Sequence, residues 1–243
     1  MLVKFAQRDY VPEYTNFSLS MIYNEETLNI FSDASMRPRQ KGILDTCYGA
    51  VAVCKDSMID EWFRIFSGCT VPAAELRGMR CSLTLAHMYK PQFKYINIFS
   101  DSQLALLGLR EYIYNWRIDP ANATLYNGPK NAPKEVKNQE LYVELFQLLE
   151  SLRQTNIVNL YHQCGHVSNG VDNIKHALIT FKKSNNIYAK VGYDLIRYIS
   201  VYNNYVDNKS RSIIRTTNIY ENTFIDPVSF YPQTSLPPQI KIV

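Results

Sequence analysis

Long apolar runs are missing from this sequence. No stretch approaches the roughly 18 consecutive apolar residues that span a bilayer, and the first residues lack the basic, apolar, small-residue order of a secretion signal. An intracellular, cytoplasmic protein (host-cell cytoplasm for a viral source) that contacts no membrane is therefore expected. Cysteine is scarce and unpatterned: Cys47, Cys54, Cys69, Cys81 and Cys164 are odd in number and contain no CxxC pair. That argues against both a disulfide framework and a zinc knuckle and leaves reduced, mostly buried thiols. Glycine is sparse as well, 9 in 243 residues, and there is no glycine-rich phosphate loop and no internal repeat. What is present, 46% apolar and 20% charged residues, is the composition of a folded globular protein and excludes disordered, collagenous and low-complexity chains. The formal charge of +4 lies wholly beyond Phe181, where eight Lys and Arg stand against four acids. Such a tail is either a polyanion footprint or an ordinary solvated face.

Periodicity and punctuation give a coarse element order. Leu28 to Ala34, Tyr48 to Lys55 and Glu61 to Gly68 read as three successive strands and suggest an antiparallel meander. Thr70 can cap a helix that carries Pro72 in its first turn and runs to about Tyr89. Tyr95 to Ser100 reads as a strand and Ser102 to about Asn115 as a helix with Leu104, Leu107 and Tyr112 among its apolar positions. Trp116 to Val136 reads as a long loop, Asn138 to Leu152 as a helix, Ile157 to about His162 as a strand, and Val171 to Phe181 as a helix. This alternation requires a mixed sheet. Ile187 to Val206 can be drawn as an amphipathic helix, and Lys209 to Val243 reads as strands or extended coil.

Four carboxylates stand where this order would bring them together: Asp33, Glu75, Asp101 and Asp172. Crowded acids repel and raise one another's pKa unless a divalent cation neutralises them, and hard oxygen ligands select Mg²⁺ or Mn²⁺. Two such ions can activate water and stabilise the leaving oxygen in phosphodiester hydrolysis. Singly, an Asp after a strand is usually a turn or helix cap.

The words around these acids, IFSDAS (30–35), AAELRG (73–78), NIFSDSQ (97–103) and GHVSNGVD (165–172), resemble the signatures of type 1 ribonuclease H in order and separation. IYNWR (113–117) and EVKNQELY (135–142) resemble the stretches that flank the family's basic handle. The resemblance implies an α/β fold, a five-stranded mixed sheet with its first three strands antiparallel and helices flanking it, over residues 27–183. Residues 1–26 and 184–243 would be an N-terminal and a basic, Tyr- and Asn-rich C-terminal extension. It implies metal-dependent endonucleolytic hydrolysis of the RNA strand of RNA–DNA hybrids, leaving 3′-hydroxyl and 5′-phosphate ends. Asp33, Glu75, Asp101 and Asp172 would hold two Mg²⁺ ions, with Mn²⁺ able to substitute. Ser35, Thr70, Gln103 and Trp116 would touch substrate: Thr70 a DNA phosphate, Gln103 a base edge or ribose in the wide minor groove with its 2′-hydroxyls, and Trp116 the DNA strand. For Trp116 a core or helix-end role is the equal alternative.

The family's mobile histidine precedes the last acid. His166 matches the GH word at 6 residues before Asp172, His162 the commoner spacing at 10, and His166 is preferred because the strand ahead of it then has the better length. Some family features are absent: Ala34 replaces the usual Gly, TVPAAE (70–75) lacks the asparagines that reach the minor groove, and the handle region is weakly basic. The C-terminal extension is expected to compensate by binding the hybrid or docking a protein partner. Rival readings are a proofreading exonuclease, disfavoured by Ser35 where a Glu is needed; an integrase or transposase, whose Glu comes last; a junction resolvase; and an inactive binding or structural subunit. The Asn-, Ile- and Tyr-rich composition points to an AT-rich genome, such as a virus's.

Overall fold

A computed structural model of the protein describes residues 3–4, 19–38, 44–119, 124–129, 131–167, 171–187 and 191–216. In chain order these form β1 (Val3–Lys4), α1 (Leu19–Ile22), β2 (Thr27–Pro38), β3 (Leu44–Cys54), β4 (Ser57–Ser67), α2 (Val71–Tyr89), β5 (Tyr95–Ser100), α3 (Gln103–Leu107), a π-helical turn (Gly108–Tyr112) and α4 (Ile113–Asn115). There follow β6 (Arg117–Asp119), β7 (Thr124–Asn127), β8 (Lys134–Glu135), α5 (Gln139–Leu152), β9 (Ile157–His162), α6 (Val171–Ser184) and α7 (Tyr193–Thr216). The main sheet has the order β4-β3-β2-β5-β9. β2, β3 and β4 pair antiparallel, whereas β5 and β9 join parallel, as the meander followed by strand–helix alternation requires.

β2 and β3 are buried over nearly their whole length because both faces of the sheet are covered. Leu28, Ile30, Ala34, Tyr48, Ala50 and Ala52 point into one core shared with α2 and α5. Alternate residues Phe31, Val51, Val53, Phe99 and Tyr161 point into a second core beneath α6 and α7. Across this second face an aromatic row runs from Tyr202 of α7 to Phe31, Phe99 and Tyr161, with ring centroids 5.3, 4.8 and 5.3 Å apart. A buried amide ladder lies alongside. Asn97 donates to Asn29 at 3.1 Å, Asn159 donates to Asn97 at 3.0 Å, and Asn29 donates to the carbonyl of Ile22 at 2.8 Å.

Three expectations are corrected. The segment read as a loop, Trp116 to Val136, contains β6, β7 and β8, which join β1 in a small sheet of order β1-β6-β7-β8. The helix after β5 is broken by the π turn, and its buried residues are Ala105, Leu106, Leu109 and Ile113, leaving Leu104 and Tyr112 exposed. Residues 209–216, read as extended, continue α7; the rest of that reading, 217–243, falls outside the described residues. Among the described residues no helix is long and apolar enough to cross a membrane.

Candidate active site

Strand register does most of the work of assembly. β2 and β5 pair parallel with Ser32 beside Ser100, so Asp33 and Asp101, one step further along, come side by side where β5 ends in the middle of the sheet. Glu75 arrives from α2, whose N-terminus is capped by Thr70 accepting the Ala73 amide at 3.4 Å. Gly78, one turn beyond Glu75, lets that helix approach β2, since a Cβ there would lie 3.3 Å from the Asp33 carbonyl oxygen. As a result Asp33, Glu75 and Asp101 offer carboxylate oxygens all within 4.8 Å of one another.

Among the described residues no Lys or Arg pairs with any of the three. The Asp33 carboxylate accepts only its neighbour's amide, Ala34, at 2.7 Å. Burial, then the charges of Asp101 and Glu75, push Asp33 up to about 9, and burial followed by Asp101 pushes Glu75 up to about 8. Asp101 is also raised by burial, with His166 opposing the shift. Three mutually repelling oxygen donors, Asp33 buried and Glu75 and Asp101 half-buried, with no Lys or Arg paired to them among the described residues, fit a hard divalent cation of the Mg²⁺ or Mn²⁺ kind.

The other expected residues are placed unequally. Asp172 lies in the first turn of α6 and is exposed, outside the group of three, and residues 168–170 before it are not described. His166 takes a left-handed φ of 53° and an exposed side chain, with Nδ1 3.2 Å from Asp207 Oδ2. The preceding Gly165 packs so tightly on the site that a Cβ there would fall 2.5 Å from Asp101 Oδ2. His162, by contrast, is half-buried with Nε2 3.2 Å from the Asp101 carbonyl oxygen, and burial lowers its pKa.

Thr70 and Gln103 are exposed, and Gln103 lines an open groove of about 570 Å³ with Glu111, His176, Thr180 and Lys183. Ser35 is buried, its hydroxyl 2.8 Å from that of Ser210. Trp116 is 7% exposed and packs edge-on to Tyr142, the core role weighed as its alternative. Arg117 in the handle region is likewise turned inward, donating to the Gly128 carbonyl at 2.7 Å.

Sequence reading missed α7's contribution. Asp207, Ser210 and Arg211 reach the site from a helix whose buried stripe includes Ile196, Ile199, Asn203, Val206, Asp207, Ser210 and Ile214. The signal in the sequence is an acid standing on an apolar stripe that continues past Val206, where the expected helix stops.

The RNase H family model matches residues 25–178. No curated protein matches the sequence. Similar solved structures include the prototype foamy virus protease-reverse transcriptase, at 16% identity and a TM-score of 0.44, covering 67% of this chain and 21% of that one. RNase H1 from the halophilic archaeon Halobacterium salinarum is 15% identical with a TM-score of 0.37, covering 66% and 98% of the two chains. The foamy viral protease-reverse transcriptase in complex with RNA/DNA hybrid is 12% identical with a TM-score of 0.44, covering 74% of this chain and 22% of that one. This chain thus spans about a fifth of the foamy viral protein's length. With the family model matched over more than half of its residues, the chain belongs to the RNase H family.

Proposed function

We propose that the protein is an endonuclease that hydrolyses the RNA strand of RNA–DNA hybrids to 3′-hydroxyl and 5′-phosphate ends. The observation that supports this best is the group Asp33, Glu75 and Asp101, three convergent carboxylates, buried or half-buried, to which no Lys or Arg pairs among the described residues. A site built this way is destabilised on its own and becomes favourable with bound divalent cations. Asp33, Glu75 and Asp101 would hold two Mg²⁺ or Mn²⁺ ions, with Asp172 as the fourth acid from the start of α6. The ions would supply a polarised water and charge stabilisation at the scissile phosphate.

Around that site the chain's own groups bind and orient. Thr70, exposed at the N-terminus of α2, would donate its hydroxyl to a DNA phosphate. Gln103, exposed at the start of α3, would reach a base edge or ribose. Preference for the RNA strand follows from the wide minor groove and 2′-hydroxyls of the hybrid. His166, exposed beside Asp101, would carry protons to or from the reacting oxygens.

The test is a panel of labelled substrates, RNA–DNA hybrid, RNA duplex, DNA duplex and four-way junction, incubated with the full chain in Mg²⁺ and in Mn²⁺. Cleavage of the hybrid's RNA strand alone, with 5′-phosphate products, is the expected result. Junction cleavage would move the protein to the resolvase class, and no cleavage by folded protein with metal would make it a binding module.

A further inference from the structure

Helix α7 lies outside the part of the chain matched by the family model, yet it packs on β2 and β3, on the face of the sheet that carries Asp33. Its docking is extensive and specific. Ile196, Ile199 and Val206 are buried in the second core, Tyr198 donates to the Lys55 carbonyl at 2.7 Å, and Tyr205 donates to Glu61 at 2.6 Å, where Lys209 also pairs. Near its C-terminal end Ser210, fully buried, meets Ser35 two residues beyond Asp33. This contact fixes the helix's register against the acid-bearing strand. Asp207 and Arg211, one turn apart, then fall beside His166.

The contacts there form a closed triangle. The Asp207 carboxylate, on a residue 6% exposed, lies 3.2 Å from His166 Nδ1 through Oδ2 and accepts from Arg211 Nε at 2.8 Å through Oδ1. Arg211 Nη2 also stands 3.1 Å from His166 Nδ1. Asp207 is close enough that its charge adds to the upward shifts of Asp33 and Asp101, and His166 is close enough to oppose that of Asp101. His166 is therefore held between α7 on one side and the acid group on the other.

Two arrangements compete at Nδ1. If Nδ1 carries the proton it donates to Asp207, and Nε2, 3.5 Å from Arg211 Nη2, is left as the acceptor. If Nδ1 is bare it accepts from Arg211, and Nε2 carries the proton instead. Asp207 favours the first, because a carboxylate can only accept, whereas Arg211 Nη2, which also lies 3.5 Å from Nε2, can donate to that nitrogen instead of Nδ1. A carboxylate behind an imidazole fixes both the tautomer and the ring orientation.

We propose that Asp207 is a positioning residue for His166: it accepts the Nδ1–H of the imidazole, with Arg211 steadying the carboxylate, and so leaves Nε2 as the proton acceptor. The C-terminal helix is then part of the active site. This rests on the reading that His166 handles protons in hybrid hydrolysis.

The experiment uses full-length protein, wild type, Asp207→Asn, Asp207→Glu and His166→Ala. The ring nitrogens of His166 are followed by ¹⁵N NMR of histidine-labelled samples, with His166→Ala supplying the assignment. Wild type is expected to show the Nδ1–H tautomer, and Asp207→Asn to shift toward Nε2–H because Arg211 remains as donor to Nδ1. On the hybrid, Asp207→Asn should lower kcat by about 10–100-fold with KM little changed, and Asp207→Glu should recover much of the loss. An unchanged tautomer in Asp207→Asn overturns the proposal, as does unchanged turnover in either Asp207→Asn or His166→Ala. If wild-type protein cleaves no hybrid, the functional reading fails, while the tautomer still decides whether Asp207 positions His166.

Discussion

Asp33 concentrates the electrostatics of the molecule. It is 5% exposed, faces two other carboxylates, and sits where backbone register leaves it no choice of neighbour. Gly165 shows how little room surrounds the group. A Cβ at that position would overlap Asp101 Oδ2 at 2.5 Å, and the atom it displaces is the end of a side chain rather than backbone. Gly165→Ala is therefore expected to turn the Asp101 carboxylate aside at small cost to the fold. Calorimetric titration with Mn²⁺ should show weakened binding while Tm without metal stays close to wild type. Wild-type affinity in the variant would mean that Asp101 is not a ligand.

At the scale of elements, α7 is an integral part of the fold. Its stripe covers Phe31, Val51 and Val53, and Ile199 on it is 3% exposed. Ile199→Ala should cost about 2–5 kcal/mol of global stability, read as a lower urea midpoint in a single transition. A separate early transition, or none lost, would make α7 a loosely attached appendage. Deleting the helix is a poor probe of hybrid binding for the same reason, since it would uncover β2 and β3 on that face of the sheet.

Much of this architecture is legible in the residues. The five main strands and the helices α2, α5 and α6 announce themselves through alternation, Thr70 with Pro72, and long apolar stripes. Other elements do not. In Leu104–Arg110 (LALLGLR) four leucines fall in six positions, so no period singles out the buried face, and the π turn then shifts the phase. β6, β7 and β8 have two to four residues each, too short to show alternation, and the small sheet they form is completed by β1, which pairs with β6 from more than 100 residues away. The site was legible as three acids in motif words. Ser35 and Trp116 were not, because their burial depends on what packs over them, Ser210 and Tyr142, and sequence spacing does not encode that.

At the scale of the whole molecule, the acid group links stability to pH and metal. In the unfolded chain Asp33 and Glu75 titrate at their ordinary values of 3.8 and 4.5, whereas in the folded, metal-free protein they keep their protons up to about 9 and about 8. Between those limits the unfolded chain has released protons that the folded one still binds, so raising the pH favours unfolding. Metal-free protein is predicted to lose Tm from about pH 5 to about pH 8, with Mg²⁺ restoring it at the upper end and doing little at the lower. Asp33→Asn should flatten that slope, and calorimetric melts across the range check it. A Tm that rises over the same interval with metal absent would contradict the electrostatic account.

The most direct test of the central claim is single-turnover cleavage of a labelled RNA–DNA hybrid by wild-type and Asp101→Asn protein across a Mg²⁺ titration. The account predicts metal-dependent cutting of the RNA strand by wild type and a loss of about a hundredfold or more in the variant, which keeps its fold but lacks one anionic ligand. Equal cleavage by both proteins, or cleavage by wild type that is indifferent to Mg²⁺, would contradict it.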